Sequence, residues 1–133
     1  MLRAGKSFKP LSGLEHLVLD TVWRRGSVTA DEVRTALARI HPMKDSTVRT
    51  ILKRLEDKGY VRHRVQDRTN VYSGRQTPRI VAARAVRQIV DRFCHGSVEE
   101  LLLGMVDHAV VEEGELQLLA QRLAERRKRG EGA

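Results

Sequence analysis

Apolar residues along this chain recur with helical period, then alternate, then return to helical period, and each change marks a boundary. Leu14, Leu17, Val18, Thr21 and Val22 repeat at helical spacing behind Ser12-Gly13-Leu14-Glu15, an S-x-x-E capping box, and Gly26 ends the run. This predicts a first helix over about 12–25, with Trp23 as a core or inter-helix anchor in its last turn. Thr29-Ala30-Asp31-Glu32 repeats the box, and Val33, Ala36, Leu37 and Ile40 supply the apolar face of a second helix. That helix is expected over about 29–40, because His41-Pro42 breaks it. Ser27-Val28 just before it is a candidate for a short strand. In Asp45–Tyr60, DSTVRTILKRLEDKGY, the residues Val48, Ile51, Leu52 and Leu55 form one helical stripe. Asp45 or Ser46 suits the N-cap, and Gly59 suits the C-terminal stop.

After Gly59 the period becomes two. Tyr60, Val61, His63 and Val65, then Val71 and Tyr72, alternate with Arg62, Arg64 and Gln66, and the polar stretch Gln66–Asn70 lies between them. This is the pattern of a hairpin. Helical period returns at Thr77-Pro78, an N-cap followed by a proline at the first helical position. Ile80, Val81, Val86, Ile89, Val90 and Phe93 carry that helix to about Cys94. Two further helices are expected, one from Ser97 with Leu101, Leu102, Leu103, Met105 and Val106, and one over Glu112–Lys128 with Leu116, Leu119 and Leu123. The fold class is therefore mainly α with a small β-hairpin. The organisation reads as a basic arm at 1–10, a domain at 11–76, a helical region at 77–128 and a tail at 129–133.

The off-stripe residues of Asp45–Tyr60 carry the first chemical signal. Ser46, Thr47, Arg49, Thr50, Lys53 and Arg54 are hydroxyls and cations, the side chains that bond phosphates and base edges. A solvated basic face is the bland alternative, about as common in isolation. Context favours recognition. A capped helix, a turn and a cationic helix make a helix-turn-helix, and a hairpin directly after it is a wing. Arg62, Arg64 and Arg68 spread charge along that wing, and Lys44 stands before the helix. These four are assigned to phosphate contacts. Arg54 has a backbone phosphate or its neighbours Glu56 and Asp57 as alternative partners.

Charge is segregated. The net charge of the 133 residues is +8, yet residues 1–77 hold 16 Lys/Arg against 8 Asp/Glu while residues 78–133 hold 9 of each. A clustered cationic part suits a polyanionic partner through counterion release. The balanced part suits self-association. Its three amphipathic helices expose more apolar surface than they can bury alone, and an isologous dimer cures that. The residues assigned to dimerisation are Val86, Ile89, Val90, Phe93, Leu101, Leu102, Met105, Val106, Leu116, Leu119 and Leu123.

Other chemistry is poorly supported. Hydrophobic residues make up 41% of the chain, without any run of eighteen or more, so no transmembrane helix or direct membrane binding is expected. MLRAGKSFKP lacks the apolar segment of a signal peptide. A single cysteine, Cys94, suits a reducing cytoplasm. Asp91, Cys94, His95 and His108 lack the paired spacing of zinc ligands, and no nucleophile elbow or H-E-x-x-H is present. No metal, cofactor or catalytic residue is therefore expected, and the chain does not read as an enzyme.

Leu14-Glu15, Val18 and Trp23, then Thr29–Val33, then Thr47–Gly59 with Arg68 and Tyr72 resemble the penicillinase-repressor family, the BlaI/MecI/CopY-type regulators. The stretch T-V-x-T-x-L-x-R-L-x-x-K-G is the most specific part. Arg92-Phe93 and Gly96-Ser97 with the following leucines resemble its dimerisation region, so the likeness spans residues 11–127. It implies a winged helix-turn-helix repressor, homodimeric on a palindromic double-stranded operator. In the β-lactam-responsive branch a membrane-bound sensor metalloprotease triggers cleavage in the dimerisation helices. The scissile Asn-Phe pair of staphylococcal members falls on Gly104-Met105 here. The tryptophan often found before the recognition helix is Met43, the wing-turn glycine is Asp67, and the proline after the wing tyrosine is Gly74. The cysteine-rich tail of the copper-responsive branch is absent. Two other readings stay open on the residues alone: an RNA- or ribosome-associated basic module, and a metal- or thiol-responsive winged-helix sensor.

Overall fold

Both capping boxes form. In the computed structural model, which describes residues 9–130, Ser12 Oγ accepts from the Glu15 amide at 3.0 Å while Glu15 Oε1 accepts from the Ser12 amide at 2.9 Å. Helix α1 follows over Gly13–Arg25 and stops at Gly26, whose φ of 84° favours glycine. Strand β1 spans Ser27–Thr29. The Thr29–Glu32 box then starts α2, Ala30–Ala36.

Helix α2 is shorter than its apolar pattern suggests. It ends at Ala36, and Leu37 to Ile40 continue as turns, with the Ala38 amide bonded to Thr35 rather than to residue 34. Pro42 disfavours helix at His41, and the winding tightens before it. Ile40 consequently leaves the apolar face and is 71% exposed, whereas Leu37 remains buried.

Helix α3 spans Asp45–Asp57. Neither Asp45 nor Ser46 is its N-cap; Lys44 holds that position without a side-chain bond. Asp45 is instead the first helical residue, where its charge suits the positive end of the helix, and its carboxylate turns to Arg49. The C-terminus closes as a Schellman motif. The Tyr60 amide reaches the Leu55 carbonyl at 2.9 Å and the Gly59 amide reaches Glu56 at 3.0 Å, with Gly59 at φ 89°.

Strands β2, Val61–Gln66, and β3, Thr69–Gly74, form the hairpin, and β1 adds to the far side of β3, giving the antiparallel order β1-β3-β2. Tyr60 precedes the strand and is buried. The turn is tighter than expected. Gln66 pairs with Thr69, leaving only Asp67 and Arg68 between the strands, both at positive φ (52° and 65°). That is a type I′ turn made without glycine.

The core of this part joins Val18, Leu19 and Val22 of α1, Val33 of α2, and Val48, Ile51, Leu52 and Leu55 of α3 to Val28, Tyr60, Val61 and Tyr72. Trp23 anchors α1, though not to another helix. Its Nε1 donates to the Gln76 carbonyl at 2.8 Å, and its ring lies against Gly74, where a Cβ would stand 3.0 Å from Cδ1. Three helices, a three-stranded sheet and a protruding hairpin make a winged helix, as the apolar pattern predicts.

Helix α4 spans Pro78–Phe93, α5 Val98–Asp107 and α6 Glu113–Lys128. The chain falls into two compact units, residues up to Val86 and residues from Arg87 on, and the division runs through α4. Val81 in the first turns of α4 belongs to the winged-helix core. In the second unit Val90 is the one fully buried side chain among the described residues. Among the described residues no helix is long and apolar enough to cross a membrane. Of the expected basic arm, all but Lys9 and Pro10 lies outside the described residues, as do the last three residues of the tail.

Candidate nucleic-acid interface

Helix α3 has two unlike faces. Val48, Ile51, Leu52 and Leu55 are 0–3% exposed and bind the helix to the domain. Ser46, Arg49, Thr50, Lys53 and Arg54 are exposed together on the remainder, with Thr47 half-buried at the edge and Lys44 exposed before the first turn. Six of the seven candidates therefore lie on one helix, with Lys44 at its N-cap. A shallow open groove runs beside them, lined by Leu14, Ser46, Thr47, Thr50, Ile51 and Arg54. The Thr50 hydroxyl donates to the Ser46 carbonyl at 3.0 Å, leaving its lone pairs free to accept.

The charges on α3 are mostly matched within the protein. Arg49 Nε lies 2.8 Å from Asp45 Oδ2, and Lys53 Nζ lies 3.9 Å from Asp57 Oδ1. Glu56 faces the sheet, where both its oxygens lie 2.8 Å from His63 Nδ1. Arg54 therefore pairs with neither Glu56 nor Asp57. Among the described residues it is the α3 cation without an ion pair.

The wing carries Arg62, Arg64 and Arg68, all exposed. Alternation sends Arg62 and Arg64 to the face opposite Val61 and His63. Arg64 Nη2 donates to Gln66 Oε1 at 3.0 Å, and Arg68 occupies the tip. His63 does more than fill a strand position. It joins Glu56 of α3, and its ring centroid lies 5.5 Å from that of Tyr72 on β3. The wing is thus tied to the cationic helix by a side-chain bridge.

Three linking residues escaped the sequence reading. Gln76 accepts from Trp23, donates to the Gly59 carbonyl at 3.1 Å, and accepts from Arg84 Nη1 at 2.7 Å. Lys58 donates to Glu15 Oε1 at 2.7 Å and to the Pro10 carbonyl at 3.1 Å. Tyr60 donates to the Lys9 carbonyl. Burial pushes the Tyr60 hydroxyl up to about 12, aided by the nearby Glu15 charge. The only sequence signal for this network is the S-x-x-E box, which explains Glu15 without its second partner.

The residues assigned to association sit in the second unit and at its entry. Phe93 is 71% exposed, Leu119 49% and Leu123 45%, and Val86, Ile89 and Leu102 are exposed as well. Leu101, Met105, Val106 and Leu116 are half-buried, and neither α5 nor α6 has a buried residue. Val90 differs, being buried within its own chain. Gly104 and Met105 lie inside α5, both half-buried. Cys94 is half-buried at the end of α4.

A penicillinase repressor of Bacillus licheniformis is 26% identical over 128 residues, 93% of this chain and 97% of the relative. The solution structure of Bacillus licheniformis BlaI in monomeric form, in complex with the blaP half-operator, is 27% identical. It covers 53% of this chain and 87% of its own, at a TM-score of 0.46. The hsRosR-S4 complex structure shares the fold at a TM-score of 0.50 and 16% identity, over 83% of this chain and all of its own. The family model described as penicillinase repressor matches residues 11–125, so the chain belongs to the penicillinase repressor family.

Proposed function

We propose that the chain is a DNA-binding transcriptional repressor that acts in the cytoplasm as a homodimer on a palindromic operator. The observation that carries this reading is the two-faced α3. Its apolar face is buried in a winged helix, and its hydroxyls and cations are exposed together on the other face. In this reading Ser46, Thr47, Arg49, Thr50 and Lys53 face a major groove. Lys44, Arg54, Arg62, Arg64 and Arg68 meet phosphates, with Arg68 beside the adjacent minor groove.

The dimer rests on unpartnered apolar surface. Phe93, Leu102, Leu119 and Leu123 are costly to leave in water, and a second copy covers them symmetrically. Two subunits then address half-sites about one helical turn apart, or a multiple of it. Relief by a membrane-bound sensor metalloprotease belongs to the same reading. By the family resemblance the scissile pair corresponds to Gly104-Met105 inside α5, where a glycine weakens the helix against opening.

Selection from a random duplex pool tests the whole. Enrichment of an inverted repeat is expected. Enrichment of single-stranded RNA over duplex DNA at matched salt would overturn it. Separately, intact Gly104-Met105 after induction in cells carrying a sensor protease would remove proteolytic relief.

A further inference from the structure

Arg49 is not simply another exposed cation. Its Nε is held 2.8 Å from Asp45 Oδ2, four residues earlier on α3, while its side chain remains 71% exposed. The three cations of α3 differ sharply in this respect. Lys53 makes a loose contact at 3.9 Å, and Arg54 makes no ion pair among the described residues.

Building on the proposed DNA reading, we infer that Asp45 is a positioning residue for Arg49. It fixes the guanidinium so that its two terminal nitrogens are presented together to a guanine edge.

The reasoning is geometric. A guanidinium offers two forks of paired N–H groups, one through Nε and one between the terminal nitrogens. A carboxylate on Nε leaves the terminal fork for an outside acceptor pair. Guanine O6 and N7 in the major groove form such a pair. Holding the side chain beforehand also lowers the entropy lost when it engages a base.

The alternatives explain the pair less well. An exposed ion pair four residues apart stabilises a helix only weakly, so stability is a poor reason for it. A carboxylate next to a DNA-facing surface also repels phosphate, which weakens binding to every sequence. Asp45 suits a regulator that trades general affinity for discrimination. Arg54, unheld, suits the sequence-independent role of a phosphate contact.

The test is selection from a random duplex pool with the full-length wild type, Asp45→Ala and Asp45→Asn, followed by competition with single-base operator variants. Asparagine keeps an oxygen that can accept from Nε; alanine does not. For Asp45→Ala, preference for guanine at one base pair per half-site should fall about tenfold, as expected for a loosened bidentate contact. Binding to unrelated duplex should tighten as the carboxylate leaves. Asp45→Asn should retain most of the guanine preference, and Arg49→Ala should lose it at the same base pair. Wild-type selectivity in Asp45→Ala, or equal loss in the alanine and asparagine variants, would overturn the positioning role. A wild type that enriches no sequence would overturn the DNA reading, and the inference with it. Circular dichroism melts of both variants separate lost positioning from lost folding, since a merely structural role would lower affinity without changing which base is preferred.

Discussion

Lys58 Nζ lies 2.7 Å from Glu15 Oε1, joining the C-cap of α3 to the first turn of α1. The same carboxylate completes the Ser12 capping box, and the same ammonium also donates to the Pro10 carbonyl. Glu15 is buried at 4% exposure, so its charge is tolerated only because these donors meet it. The pair holds the cationic helix against the helix that starts the domain.

This tie has a pH signature. Burial alone raises the Glu15 carboxyl, but the bonds from Lys58 and Ser12 outweigh it and hold the group below its ordinary value of 4.5. A carboxyl lowered in the folded state adds stability above its unfolded value and loses it as pH falls through the folded value. Glu15→Gln keeps a residue able to complete the capping box but removes the charge. Its destabilisation should be about 1–3 kcal/mol at pH 7. Urea unfolding should show the gap from wild type closing as pH falls below 4.5. A constant gap from pH 7 to acid would refute the charge assignment.

The wing tip should show stability and binding moving in opposite directions. Arg68 sits at φ 65° without being glycine. Arg68→Gly should therefore stabilise the domain by about 1 kcal/mol. In the same variant DNA binding should weaken for all sequences alike, with the salt slope reduced by about one unit. Thermal melts and salt titrations on one protein preparation read both.

Gly74 has a packing reason to lack a side chain. A Cβ there would stand 3.0 Å from Trp23 Cδ1 and 3.1 Å from Nε1. Gly74→Ala should displace the indole, strain its bond to Gln76, and cost about 1–3 kcal/mol. A changed Trp23 emission spectrum together with a lowered melting temperature would register it. Unchanged emission would show that the indole tolerates the methyl group.

Association should fail without loss of the fold when an exposed apolar residue becomes charged. Phe93 is 71% exposed, so Phe93→Asp removes little from packing within the chain. Sedimentation should find monomer at micromolar concentration, with operator affinity reduced and far-UV circular dichroism retained. A surviving dimer would assign Phe93 to solvent.

Removal of a base contact should differ from removal of a phosphate contact. Arg49→Ala should weaken specific operator binding by about 1–3 kcal/mol and relax one base position. Arg54→Ala should weaken specific and non-specific binding equally. Equal effects of the two variants on the specificity ratio would collapse that distinction.

Much of the fold is legible in local pattern because local physics decides it. The capping boxes at Ser12 and Thr29, the stop at Gly59 and the start at Thr77-Pro78 all depend on residues within a few positions of one another. The stripe Val48, Ile51, Leu52 and Leu55 is buried as its period requires. Failures occur where one local preference overrides another. Ile40 continues the α2 period but loses its helix to the turn before Pro42. Asp45 has the chemistry of an N-cap, yet it stands one position inside the helix and bonds Arg49.

The sequence by itself determined the order of the elements, the faces of the helices, the segregation of charge and the family pattern across Thr47–Gly59. Those properties are sums of short-range preferences and composition. Only the tertiary structure decided which charges are already matched. Glu15 meets Lys58 across forty-three positions, Glu56 meets His63 across a chain reversal, and Arg54 is left without an ion pair among the described residues. Trp23 likewise finds Gln76 fifty-three positions away. An ionic or hydrogen-bonding side chain has many acceptable partners in sequence, and folding selects among them by bringing one within reach.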